Sequence, residues 1–115
     1  MTTELGFILD ENNVQLKKVF ENHTTFKRVY IDIYPENPLN PQTSFMLLLR
    51  TSAKNPTILN DNNRLIIIEN DRFGTHLMNI LFSKIKKCFY NKLANNHYEF
   101  ILNIQNIYYR LIVFN

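Results

Sequence analysis

The chain has 115 residues, 45% of them hydrophobic and 13% aromatic, and this size and apolar content suit one packed domain spanning residues 1–115. It has no run of about 18 apolar residues, and its first residues lack the basic and apolar stretches of a secretory signal, so we expect a cytoplasmic protein without a membrane span. The formal net charge of +3 suits an acidic partner or a nucleic acid without requiring either.

The residue usage is biased and restricts the chemistry that the chain can perform. Asparagine, isoleucine and lysine are frequent, whereas alanine occurs only at positions 53 and 94, a bias typical of an AT-rich genome or a mobile element. Cys88 is the only cysteine, which excludes an internal disulfide and a multi-cysteine metal site. Glycine occurs only at positions 6 and 74, which excludes glycine-rich phosphate loops. We therefore expect no cofactor and no metal.

The first predicted element is a short amphipathic helix over residues 10–21. Leu16, Val19 and Phe20 recur at helical spacing, and Asp10 or Asn12 can cap the N-terminus. Residues 5–9 can begin this helix or form a short strand, and the pattern leaves both possibilities open.

Two strands are predicted next. Residues 26–34 alternate, with apolar side chains on one face and Tyr30, Asp32 and Tyr34 on the other, which indicates a half-buried strand. The proline-rich segment 35–41 is predicted to be a loop, because three of its residues lack an N–H donor. Residues 45–49 are apolar on both faces and predict a strand buried centrally in the sheet.

The middle of the chain predicts a hairpin followed by a long helix. The turn residues Asn60 to Asn63 connect strands at 57–59 and 65–69. Asp71 then suits the N-cap of a helix over residues 72–93, in which Phe73, Leu77 and Ile80 are among the residues on the apolar side.

The last segment predicts a second hairpin. Residues 98–105 alternate in polarity, a tight turn at Gln105-Asn106 follows, and residues 107–114 form a final strand paired inside the sheet. The predicted fold class is therefore α+β, with a mostly antiparallel sheet of about five strands and two helices packed on one face.

No set of residues in the sequence forms a catalytic signature. His23, His76 and His97 are scattered, and Cys88 falls among apolar helix positions, where a thiol usually serves as a small core residue. We therefore predict that the protein is not an enzyme and has no small-molecule substrate. A small ribonuclease using two of the histidines is the third-ranked possibility.

Residues 84–92 carry the densest positive charge. On a helix, Lys86, Lys87 and Tyr90 share one face that can contact phosphates or an acidic protein, and Tyr30 and Tyr34 can extend such a surface. These five residues are the predicted partner-binding set.

The predicted function is that of a small protein-binding inhibitor. Small size, missing catalytic signatures and mobile-element composition favour an immunity or antitoxin protein that neutralises a cognate bacterial toxin by direct binding. The alternative is a nucleic-acid-binding module that uses the basic helix at residues 84–92.

Overall fold

β-branched and aromatic residues dominate the long apolar stretches of this chain, and such residues favour strands. A computed structural model describes residues 6–22, 25–40, 47–61, 63–93 and 97–114. Within these ranges there are one α-helix, α1 (Val14–Asn22), and nine strands. The strands are β1 (Ile8–Leu9), β2 (Arg28–Tyr34), β3 (Leu49–Lys54), β4 (Thr57–Asn60), β5 (Arg64–Ile68), β6 (His76–Leu81), β7 (Ile85–Lys92), β8 (Tyr98–Ile104) and β9 (Ile107–Phe114).

The strands form two antiparallel sheets. The first sheet has six strands in the order β1-β7-β8-β9-β2-β3, and the second has three in the order β4-β5-β6. The predicted fold, one sheet of about five strands with two helices on one face, is therefore wrong. In the described ranges the chain is mostly β, and its single helix is short.

The sequence left open whether residues 5–9 begin the first helix or form a short strand. Ile8 and Leu9 form a short strand paired with β7, and residue 5 lies outside the described ranges. The helix at 10–21 is confirmed, although a tight turn at Glu11–Asn13 precedes α1. In this turn Asn12 and Asn13 have positive φ angles of 58° and 57°, which asparagine tolerates better than most residues.

The long helix predicted over residues 72–93 is absent, and this segment forms β6 and β7. A 3-10 turn at Phe82–Lys84 and a register shift between Ile85 and Lys87 interrupt the alternation of the two strands. Because of these phase changes, the apolar positions of two strands imitate helical spacing. The buried residues of the segment are Met78, Ile80, Phe82 and Cys88.

The strand predicted to be buried at residues 45–49 is also wrong where it can be compared. Residues 45 and 46 lie outside the described ranges, and Leu47, Leu48 and Leu49 are all exposed. The reason is topological, because among the described strands β3 lies at the edge of the sheet and pairs with β2 alone. Apolar composition alone could not reveal this position.

Both predicted hairpins are confirmed. β4 pairs with β5 across the Asn60 turn, and β8 pairs with β9 across a two-residue turn in which Gln105 has a φ of 57°. The final strand β9 lies between β8 and β2, as predicted for a strand paired inside the sheet.

The inner faces of both sheets and one side of α1 share a hydrophobic core. The side chains of Leu16 and Phe20 on α1 are fully buried, and the Phe20 ring contacts Phe26 and Phe100 at centroid distances of 5.5 and 6.2 Å. The helix also contacts the second sheet, since the Asn60 side-chain amide donates to the carbonyl of Lys17. Among the described residues, no helix combines the length and apolar character that a membrane crossing needs.

Candidate functional site

The predicted binding face of Lys86, Lys87 and Tyr90 rested on a helix that does not form. Lys86 and Lys87 are exposed on β7, next to the register shift between β7 and β8. Tyr90 instead packs against the core, where its ring stacks on Phe100 at 5.7 Å between centroids. Burial raises the pKa of the Tyr90 hydroxyl, and the nearby charges of Tyr98 and Asp10 raise it further. Lys86 and Lys87 therefore stay candidates for partner binding only as exposed cations, and not as part of one face with Tyr90.

Tyr30 and Tyr34 lie on the face of the first sheet that points away from the core, which we call the outer face. Tyr30 is half-buried, and its ring meets the edge of Phe114 at 5.7 Å between centroids. Tyr34 is buried and interacts with the guanidinium groups of Arg50 and Arg110. Of these two predicted binding residues, only Tyr30 keeps an accessible portion of its side chain.

Two buried carboxylates form ion pairs on the same outer face. Asp32 is 2% exposed and accepts two hydrogen bonds from Arg50, at 2.9 and 3.1 Å. Glu99 is 6% exposed and accepts a hydrogen bond from Arg110. The Asp32 carboxylate raises the pKa of Arg50, while burial lowers and Glu99 raises the pKa of Arg110, with a net increase. Each buried acid is thus neutralised by its own arginine.

Cys88 is buried beside another carboxylate, that of Asp10. The thiol lies 3.6 Å from Oδ2 of Asp10, whose two carboxylate oxygens also accept the backbone N–H groups of Gln15 and Leu16 at 2.8 and 2.9 Å. Burial, and then the negative charge of Asp10, raise the pKa of the Cys88 thiol far above its usual value. The thiol is therefore held in its unreactive protonated form.

Of the three histidines proposed for ribonuclease chemistry, the two that the structure describes lie in different parts of the fold. His23 lies outside the described ranges. His76 is exposed at the start of β6 in the second sheet, whereas His97 precedes β8 in the first sheet and contacts the Phe114 ring. Across the part of the chain that the structure describes, no three His, Cys, Asp or Glu residues group so that they could hold a metal ion.

The most exposed aromatic residue among those described is at the tip of the β5–β6 loop. Phe73 is 75% exposed, and the guanidinium group of Arg72 lies over its ring, 4.7 Å from the centroid. A cation over an aromatic ring stabilises both side chains in one geometry. The loop therefore presents an apolar ring and a positive charge together.

The loop owes its shape to Asp71. One carboxylate oxygen accepts the N–H groups of Phe73 and Thr75, at 3.0 and 3.3 Å, and the other accepts the Thr75 hydroxyl at 3.0 Å. Gly74 follows with a φ of 61°, a conformation that favours glycine. Desolvation raises the pKa of the Asp71 carboxyl, but the hydrogen bonds from the backbone and hydroxyl of Thr75 and from the N–H groups of Phe73 and Gly74 together outweigh it, so the net pKa is lowered. The loop is thus fixed by local bonds before any partner arrives.

An apolar row on the second sheet continues from this loop. Ile58, Leu65 and Ile67 face the core, so the alternating residues of β4 and β5 point to the opposite, solvent-facing side. There Leu59, 49% exposed, pairs directly with Ile66. We call the following residues the Phe73 surface: Leu59, Ile66, Ile68, Arg72 and Phe73.

The loop and the row are contiguous. A Cβ atom added to Gly74 would lie 3.9 Å from Cγ2 of Ile68. Ile66 and Ile68 are half-buried, and Arg64 beside them donates to the side-chain oxygen of Asn79 at 2.6 Å. The Phe73 surface thus has an apolar centre with arginine at its border, which is the composition typical of protein interfaces.

No family model, curated protein or solved structure matches this chain.

Sequence reasoning placed Phe73 on the apolar side of a helix and so missed this surface. The signal that could have found it is the run Asp71-Arg72-Phe73-Gly74-Thr75, in which an aspartate and a glycine three residues later form a typical turn. Asp71 suited a helix N-cap equally well, because in both cases its carboxylate accepts nearby backbone N–H groups.

Proposed function

We propose that this protein works by binding another protein through the Phe73 surface, as an inhibitor of the immunity type that neutralises a bacterial toxin by direct contact. The observation that carries the proposal is the 75% exposure of Phe73 on a loop already fixed by hydrogen bonds. A large ring presented in this way gains free energy when a partner covers it.

The expected energetic gain is large for one side chain. Full burial of a phenylalanine side chain contributes about 1.5–3 kcal/mol, and most of the Phe73 ring is still available for burial. Since the Asp71 bonds fix the loop, little conformational entropy is lost on binding. Arginine is enriched among the residues that dominate binding energies, and Arg72 is already stacked in place.

The chemistry of the surface defines the partner's complementary site. It requires an apolar cavity that receives the Phe73 ring, with a carboxylate at the rim to pair with Arg72. Asp71 does not compete for that arginine, because its carboxylate is occupied by the N–H and hydroxyl groups of its own loop. The residue usage typical of mobile elements supports the inhibitor role in particular.

Site-specific photocrosslinking in the native host tests the proposal. A benzophenone amino acid replaces Phe73 in one variant and Val14 in a matched control, because Val14 is also exposed and apolar but lies on α1, outside the Phe73 surface. We expect one protein to be captured from position 73 and not from position 14. Co-expression with the wild-type chain should also suppress the toxicity of that protein.

Other outcomes would exclude the proposal. Equal capture from both positions, no capture, or a captured protein that is harmless when expressed alone would each contradict it. Cleavage of RNA that is lost in the His97→Ala variant would instead support the ribonuclease hypothesis.

A further inference from the structure

The outer face of the first sheet combines aromatic rings with cations near the start of β2, at the end opposite Tyr34. The rings of Tyr30 and Phe114 are in edge contact at 5.7 Å, and those of Phe114 and His97 at 4.8 Å. All three residues are half-buried, so each ring keeps an accessible portion. The rings form a continuous aromatic path from β2 across β9 to the start of β8.

Two cations border this aromatic path. Arg28 lies directly between Phe114 on β9 and Lys54 on β3 in the strand register. The Arg28 guanidinium group is 5.8 Å from the centroid of the Tyr30 ring. Neither Arg28 nor Lys54 forms an ion pair with a carboxylate in the part of the chain that the structure describes. Both charges are therefore available to a ligand.

The carboxylates of the same face do not offset these charges. Asp32 and Glu99 are buried and bonded to Arg50 and Arg110, whereas the Arg50 side chain is still 60% exposed. The accessible charge on this face is therefore positive, and it attracts an anion.

We propose that the outer face of the first sheet binds single-stranded nucleic acid, with bases stacking on Tyr30, Phe114 and His97 and phosphates lying against Arg28 and Lys54. Every base has a flat face that stacks on an aromatic ring, and a basic surface follows the phosphates. A duplex is excluded from this mode, because its base faces are covered by neighbouring base pairs. An acidic protein would use the cations but would have no need for the row of rings.

This inference is independent of the proposed protein-binding function, because it uses the first sheet and the Phe73 surface lies on the second sheet and its loop. It also replaces the basic helix at 84–92 as the basis for nucleic-acid binding.

Fluorescence anisotropy with labelled oligo(dT), oligo(U) and a duplex of equal length tests the inference. The charge variant carries Arg28→Gln and Lys54→Gln, and the matched control carries Lys18→Gln and Lys84→Gln, two exposed lysines away from this face. Both variants lose the same net charge. A loss of affinity found only in the charge variant therefore cannot come from the lower net charge of the protein.

We expect the wild type and the control to bind both single strands alike and to bind the duplex weakly. In the charge variant, affinity at low salt should fall at least tenfold, and the slope of log K against log salt should decrease by about 1.4 for two lost phosphate contacts. The Tyr30→Leu variant, checked for native circular dichroism, should bind about 5- to 150-fold more weakly at an unchanged salt slope, as expected for one lost stacked base. The Phe73→Ala variant should bind oligonucleotides like the wild type.

The inference is overturned if single strands do not bind at low salt, or if the duplex binds as well as the single strands. It is also overturned if the charge variant and its control lose affinity equally. Oligonucleotide binding that depends on Arg28 and Lys54 but not on Tyr30 would be contact with the phosphates alone and would overturn the proposed base stacking.

Discussion

Replacing Asp10 with alanine should destabilise the protein by about 2–3 kcal/mol, a large part of the roughly 5–15 kcal/mol typical of a domain. The Asp10 carboxylate accepts the N–H groups of Gln15 and Leu16 at the start of α1, and Leu16 is fully buried. Alanine leaves both donors without this acceptor. Loss of a helix cap costs about 0.5–2 kcal/mol, and a buried donor left unpaired adds to that cost.

Urea denaturation followed by circular dichroism measures this effect. With a slope of about 2 kcal/mol per molar urea, the unfolding midpoint of Asp10→Ala should fall by about 1–1.5 M. Asp10→Asn keeps one acceptor oxygen and should lose about half as much. Glu11→Ala removes a neighbouring exposed acid and should stay within about 0.5 kcal/mol of wild type. Equal stability of Asp10→Ala and Glu11→Ala would show that the Asp10 carboxylate does not stabilise the start of α1.

Three further predictions concern Cys88, the Asp71 loop and the final strand. The pKa of the Cys88 thiol is raised in the folded state, so above about pH 8.5 only the unfolded chain gains the thiolate. The free energy of unfolding should therefore fall by up to about 1.4 kcal/mol per pH unit in urea titrations, and Cys88→Ser should lack this slope. The pKa of Asp71 is lowered, so the hydrogen bonds to its carboxylate persist at neutral pH and are lost as the pH falls through that pKa. NMR should place the titration midpoint of Asp71 below about 3.9, and this midpoint should be higher in the Thr75→Ala variant. Leu111 on β9 is fully buried, so Leu111→Ala should cost about 2–5 kcal/mol, against less than about 0.5 for the exposed Leu48→Ala, and equal losses would contradict the burial of β9.

The parts of the fold that depend on local signals could be predicted from the sequence. The cap at Asp10 and the turns at Asn60 and Gln105 each depend on residues a few positions apart, and all three form. The alternation around Tyr30 likewise predicts β2, because the two faces of that strand differ from each other in polarity over a short stretch.

The predictions that were wrong concern segments whose structure depends on contacts between residues far apart in the sequence. Residues 72–93 are strands because β6 pairs with β5 and β7 pairs with β8, and a short turn between them hides the alternation. Leu48 and Leu49 are exposed because no described strand pairs on the far side of β3, a property of sheet order that composition does not encode.

The candidate surfaces were harder to predict than the fold. The Phe73 surface needs a loop where a helix was expected, and the aromatic path needs β2, β9 and the start of β8 brought side by side. Tyr30 was the one predicted binding residue that belongs to either surface. Its signal was an aromatic side chain on the polar face of a strand.

The affinity of the purified protein for the partner captured at position 73, measured by isothermal titration calorimetry, shows directly whether Phe73 contributes to binding. Truncating Phe73 to alanine removes about 2 kcal/mol of apolar burial, so Phe73→Ala should bind about 30-fold more weakly. Val14→Ala, a truncation of another exposed apolar side chain, on α1 and outside the Phe73 surface, should bind within about twofold of the wild type. Equal affinities of Phe73→Ala and the wild type would contradict the assignment of the Phe73 surface as the binding site.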